Sequence, residues 1–169
     1  MGLLRRNAAA RIVVSIDIYL LDSANAQMLS RVESDVFDHA IDPRQLQRFL
    51  DDPRHVMAFA VSDELVVGMA SAVEYYHPDK KPQLWINEVG VAPAHQNRGI
   101  GRRLVQALID EAKNRNCVFA WLGTDSGNKP ARACFGSVPG GEEPQAFLLY
   151  EWNIPPESAS RRPTKKAGR

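Results

Sequence analysis

The stretch QLWINEVGVAPAHQNRGIGRRLVQALIDEAKN, residues 83–114, changes its period halfway along. Its first nine residues, QLWINEVGV (83–91), are rich in β-branched and aromatic side chains and predict a strand. From Ile100 onward, apolar residues recur at Leu104, Val105, Leu108, Ile109 and Ala112, one stripe of a helix that ends near Asn114-Arg115-Asn116. Two glycines one residue apart, Gly99 and Gly101, stand at the junction, where a plain connection needs one turn residue at most. A strand, a short glycine-bearing loop and a helix start aim free backbone N–H groups at one point, with the positive end of the helix dipole behind them. Glycine lets an anion approach that backbone without a Cβ in the way.

Two familiar phosphate loops do not fit the spacing. A P-loop needs Lys and Ser or Thr after its second glycine, whereas Gly101 is followed by Arg102-Arg103. The dinucleotide fingerprint needs a third glycine at position 104, which is Leu104, and an early parallel βαβ unit. Taken alone, the pair of glycines also suits a tight turn with close packing of helix on strand.

Working outward, IVVSIDIYL (12–20) predicts a first strand, and Asp22 to Glu33 a helix with Ala24, Met28, Leu29 and Val32 on one face. Asp42-Pro43 starts a second helix carrying Leu46, Phe49 and Leu50. Val56–Val61 and Leu65–Tyr76 read as a hairpin around Ser62-Asp63-Glu64, and HPDKKP (77–82) as an exposed loop. Beyond the central helix come a strand CVFAWLG (117–123), a short helix over 129–136, a Gly/Pro-rich loop and a last strand AFLLYEW (146–152). The tail after residue 154 lacks periodicity and is expected to be flexible, as is the segment 1–11, leaving one domain over 12–153.

With 169 residues, 44% hydrophobic and 24% charged, the composition is that of a single globular domain. A net charge of +1 gives no global signal for nucleic acid or an acidic membrane surface. The N-terminal apolar run is interrupted by Asp17 and Asp22, no segment reaches membrane-span length, and Cys117 and Cys134 form no metal-ligand or disulfide pattern. The expectation is a cytoplasmic protein with no metal, no nucleic-acid partner and no membrane association. Trp85, Trp121 and Trp152 lie in predicted strands and read first as core.

Gln96-x-x-Gly99-x-Gly101, preceded by the INEVGV strand and Pro93 and followed by an amphipathic helix, resembles the Q/R-x-x-G-x-G/A signature of the GNAT N-acetyltransferase superfamily. NKPARACF (128–135) resembles that superfamily's N-x-x-A-x-x-x-Y element, and the order of predicted elements matches its fold. The resemblance implies an α/β (α+β) GNAT fold: a mixed sheet of about six or seven strands with about four helices, splayed where acetyl-CoA inserts. It implies that acetyl-CoA is held by Val89, Gly90, Val91, Gln96, Asn97, Arg98, Gly99, Ile100, Gly101 and Arg102, with Asn128, Ala131 and Phe135 from the second element. DVFD (35–38), the Pro-containing loop, an acid in the central strand and GGEE (140–143) further resemble the aminoglycoside 3-N-acetyltransferases of the type I group. That likeness implies a small-molecule amine acceptor gripped by Asp35, Glu88 and Glu143, and it leaves room for a homodimer.

An ammonium has no lone pair, so acetyl transfer to an amine needs a proton acceptor, a role the resemblance gives to Glu88. A backbone N–H near Gly90 or Val91 would then stabilise charge on the thioester oxygen. The chain departs from the family at Phe135, where the usual tyrosine that protonates the leaving sulfur is replaced by a ring with no proton to give. Direct transfer to an aminoglycoside amine is the leading reading. Transfer to a protein, peptide or other small-molecule amine, and a non-catalytic acyl-CoA binding module, stand beside it.

Overall fold

The computed structural model describes residues 15–154. Five strands, β1 (Asp17–Leu20), β2 (His55–Ser62), β3 (Leu65–His77), β4 (Lys80–Val91) and β5 (Phe119–Leu122), form one sheet in sequence order. The first four pair antiparallel, and β4 with β5 is parallel. A parallel pair needs a crossover, supplied here by helix α2 (Ile100–Asn114). Helices α1 (Pro43–Asp51) and α3 (Lys129–Gly136) complete the three α-helices.

The predicted stripe on α2 is the one that packs. Ile100, Leu104, Val105, Leu108 and Ala112 are buried against Ala70, Ala72, Leu84 and Ile86 of the sheet. Burial of each large aliphatic side chain contributes about 1.5–3 kcal/mol, enough to fix the helix on this face. The opposite face carries a second cluster, Leu29, Val36, Met57, Phe59, Val66 and Met69, covered in part by Leu46 and Phe49 of α1. That helix starts as its sequence implies: the Asp42 carboxylate accepts the Arg44 N–H at 2.7 Å, and Pro43 takes the first position.

Three expectations are corrected. Residues 22–33 form only a 3-10 turn, Ala26–Ser30, because the Asp22 and Asn25 side chains satisfy local backbone groups and hold tight turns in place of a helix. HPDKKP is not a loop: β3 and β4 run on to a turn at Pro78-Asp79, and a shifted register near Tyr75/His77 accommodates the prolines. AFLLYEW finds no partner strand, and 141–154 runs without secondary structure, with Leu148 and Trp152 about four-fifths exposed (81% and 79%). Among the described residues the sheet therefore has five strands rather than six or seven, with three α-helices rather than four. Residues 12–14 of the first predicted strand lie outside the described residues. No helix among the described residues is long and apolar enough to cross a membrane, and no three His, Cys, Asp or Glu side chains there gather as a metal-ligand set.

Candidate active site

The position of Glu88 follows from one extra residue. Leu84 and Ile86 face α2, so strict alternation would send residue 88 into the same core. The pairing shifts between Ser71↔Glu88 and Ala72↔Ile86, leaving Asn87 as a bulge, and beyond it Val89 and Val91 take over the α2 face. Glu88 and Gly90 are thereby turned to the other face, opposite Ser71 and Met69. The buried Ser71 hydroxyl donates to the Asn87 side-chain oxygen at 3.2 Å and pins the bulge.

Glu88 meets a second acid there. Its carboxyl is pushed above the ordinary glutamate range, first by partial burial and then by the negative charge of Asp38. The segment leading to Asp38 is anchored: Arg31 and Glu33 exchange backbone hydrogen bonds with Val66 at 2.9 Å each, and Val36 is buried. The Val36 carbonyl lies so close over Gly90 that any Cβ there would collide with it. Asp35, the acid expected to bind substrate, turns the chain with φ +61° and stays exposed. The acid whose charge reaches Glu88 is thus Asp38, three residues beyond the expected one within DVFD.

Beside Glu88 the sheet opens. Pairing of β4 with β5 ends at Ile86↔Leu122, so among the described residues, 87–91 have no strand on that edge. The Ala92 N–H donates to Val67 on β3 at 3.0 Å, and alternation then directs Val91 and Val89 toward the open edge and Gly90 toward β3. Of the two donors expected from sequence, the geometry selects Val91. Its carbonyl already accepts the Gln96 side-chain amide at 3.0 Å, which ties the loop to the end of the strand.

The loop then delivers an uncapped helix. After the 3-10 turn Pro93–His95, Asn97 and Gly99 adopt φ +59° and +75°, and no side chain caps the start of α2. The first intrahelical bond runs from the Arg103 N–H to Gly99, so the N–H groups of Ile100, Gly101 and Arg102 have no intrahelical partner. By contrast, α1 and α3 carry Asp42 and Asn128 as side-chain caps. Open donors with a helix dipole behind them and an unpaired strand edge alongside fit a pyrophosphate with an extended acyl-thiol arm. Arg98 approaches His95 Nδ1 at 3.1 Å, Arg102 is exposed, and Arg103 is committed to the Ile16 carbonyl at 2.9 Å.

The second expected element lies across α2. A Cβ on Gly101 would sit 2.8 Å from Cys134 Sγ, so its missing side chain makes room for α3, while its N–H stays among the open donors. Asn128 spends its side-chain oxygen on the Ala131 N–H at 3.1 Å, and Phe135 is half-buried against the α2 core. Burial raises the Cys134 thiol above its ordinary value. Glu143 is exposed in the 141–154 segment. Sequence reasoning had no signal for the bulge or for Ser71, because neither residue type marks an inserted position.

A family model described as the Acetyltransferase (GNAT) family matches residues 21–137. N-alpha-acetyltransferase RimI of Mycobacterium tuberculosis (strain ATCC 25618 / H37Rv) is 32% identical over 125 residues, 73% of this chain and 77% of that protein. Among solved structures, an aminoglycoside acetyltransferase, meta-AAC0020, from an uncultured soil metagenomic sample, in complex with trehalose, has a TM-score of 0.67 at 20% identity, covering 82% of this chain and 97% of its own. AAC(6')-Iy in complex with the bisubstrate analog CoA-S-monomethyl-acetylneamine also has a TM-score of 0.67, at 18% identity, covering 83% of this chain and 99% of its own. At those identities the structures establish a shared fold.

Proposed function

The chain belongs to the GNAT acetyltransferase family, and from that premise we propose that it moves acetyl from acetyl-CoA directly to a primary amine of a small polycationic acceptor, of the aminoglycoside type and at its 3-amino group. The observation that carries the reading is the bulge at Asn87, which turns Glu88 onto the face shared with Asp38, beside an open strand edge and an uncapped helix.

The residues divide the chemistry. The Ile100, Gly101 and Arg102 N–H groups hold the pyrophosphate, and Gln96 keeps the Val91 carbonyl occupied while its N–H remains for the thioester oxygen. The Glu88 carboxylate takes a proton from the acceptor ammonium, and its raised pKa brings the base nearer to the working range of an amine. The freed nitrogen forms the N–C bond as the C–S bond breaks and the thiolate departs, and the nitrogen passes its second proton to water. Phe135 gives that thiolate no proton, so the leaving group takes one from water. Direct transfer is favoured over an acyl-enzyme because burial keeps the Cys134 thiol protonated.

Acetyl-CoA presented with an acceptor panel, read by thiol release and by mass of the product, tests this. An aminoglycoside product supports the reading, and no thiol release with any amine overturns it. A second reading, an N-terminal α-amine of a protein as acceptor, is favoured by the relative that is 32% identical, an N-alpha-acetyltransferase. Release with peptides but not with aminoglycosides selects it.

A further inference from the structure

Three large aromatic side chains lie exposed at the β4–β5 end of the Glu88 face of the sheet, and two of them are organised. Trp85 and Trp121 are register partners on β4 and β5, stacked with ring centroids 5.6 Å apart and planes within 17°. They are 42% and 39% exposed, and Phe119 on the same face of β5 is 51% exposed. Their expected place was the core. Trp121 Nε1 donates to the Tyr75 hydroxyl at 2.9 Å, and that hydroxyl donates to Gln83 Oε1, so the Trp121 indole is held by a three-strand chain of hydrogen bonds and Trp85 stacks against it.

We propose that the Trp85–Trp121 pair is an acceptor subsite: a fixed aromatic platform on which an amino-sugar ring of a polycationic acceptor stacks while another of its amines reaches Glu88. Trp85 and Glu88 stand opposite Val73 and Ser71 on β3, two residues apart across the bulge, a span of about 7 Å at a strand rise of about 3.3 Å per residue, within the reach of a molecule with two linked sugar rings. An aromatic face attracts cations, and a sugar ring offers an apolar C–H face besides. The carboxylates of Glu88 and Asp38 complete the match at the other end with negative charge. A pair anchored by the Trp121 hydrogen bond and by stacking, yet left open to solvent, loses little further freedom when a ligand lands on it. The inference rests on the aminoglycoside reading of the acceptor given above.

The test is a titration of the coenzyme A complex with sisomicin, read by the indole Nε1–H resonances, assigned with single Trp→Phe variants. Saturable shifts of the Trp85 and Trp121 signals are expected. Trp121→Leu should weaken sisomicin by about fivefold or more, Trp121→Phe should restore it to within about twofold, and acetyl-CoA affinity and thermal midpoint should hold in both. The proposal is overturned by the absence of saturable shifts, or by a Trp121→Leu affinity within about twofold of the parent. If Trp121→Leu fails to fold, Trp85→Leu carries the same comparison. Indole shifts without thiol release leave the platform standing and sink the catalytic reading; thiol release with sisomicin and unmoved indoles does the reverse.

Discussion

Gly101 separates two accounts of the glycine-rich junction. In one, its missing Cβ exposes the backbone to the coenzyme; in the other, it admits Cys134. A methyl group at 101 would stand 2.8 Å from Cys134 Sγ, well inside ordinary contact distances of 3.4–4 Å. Crowding of this kind costs about 1–3 kcal/mol. Alanine in place of glycine within a helix returns up to about 1 kcal/mol, less so in its first turn. Gly101→Ala alone should therefore be destabilised by roughly 0–2 kcal/mol, a loss of up to about 8 °C at about 2–4 °C per kcal/mol for a chain of this size. With Cys134→Ala the sulfur is gone, and adding Gly101→Ala should then be neutral or stabilising. The double variant should also bind coenzyme A like the parent. Thermal melts and calorimetric titration of the four proteins measure both quantities. A double variant that folds well but still binds coenzyme A about tenfold more weakly or worse, a difference of about 1.4 kcal/mol, refutes the packing account and returns Gly101 to the anion.

Other outcomes follow from the same geometry. Glu88 must be ionised to accept a proton, and Asp38 helps to hold its pKa up; Asp38→Asn should move the acidic limb of kcat/KM to lower pH, and an unmoved limb counts against the pairing. Gly99→Ala meets empty space but a φ of +75°, so backbone strain of about 1–2 kcal/mol should lower the thermal midpoint by roughly 2–8 °C; an unchanged midpoint contradicts the assigned conformation. Cys134→Ala should turn over like the parent, and intact mass after mixing with acetyl-CoA alone should show no acetyl-enzyme; a stoichiometric adduct on Cys134 revives the covalent route.

The sequence speaks most clearly where one local rule decides the outcome. The Asp42-Pro43 start of α1 and the apolar stripe of α2 were legible because capping and period act within a few residues. The strand, loop and helix around Gly99 were legible for the same reason. What depends on contacts across the chain was not. The bulge at Asn87 exists because Ser71, sixteen residues away, meets it on β3, and no residue type announces such an insertion. The charge of Asp38 reaches Glu88 on a loop tied to Val66, so choosing between Asp35 and Asp38 required the tertiary pairing. AFLLYEW has strand composition, but composition supplies no partner strand, and the segment stays exposed. The tryptophans of β4 and β5 have the alternation of half-buried strands, which cannot say that their face is left uncovered.

The central claim is that a carboxylate turned outward by one bulge removes the proton that keeps an amine from attacking. Single-turnover acetyl transfer by Glu88→Gln, at saturating acetyl-CoA and with the acceptor found by thiol release, measures this directly. The account predicts a rate lowered by about 10²–10⁴-fold with coenzyme A affinity unchanged, and a loss that shrinks at high pH where the amine is already neutral. A variant that transfers acetyl at the parent's rate near neutral pH contradicts it.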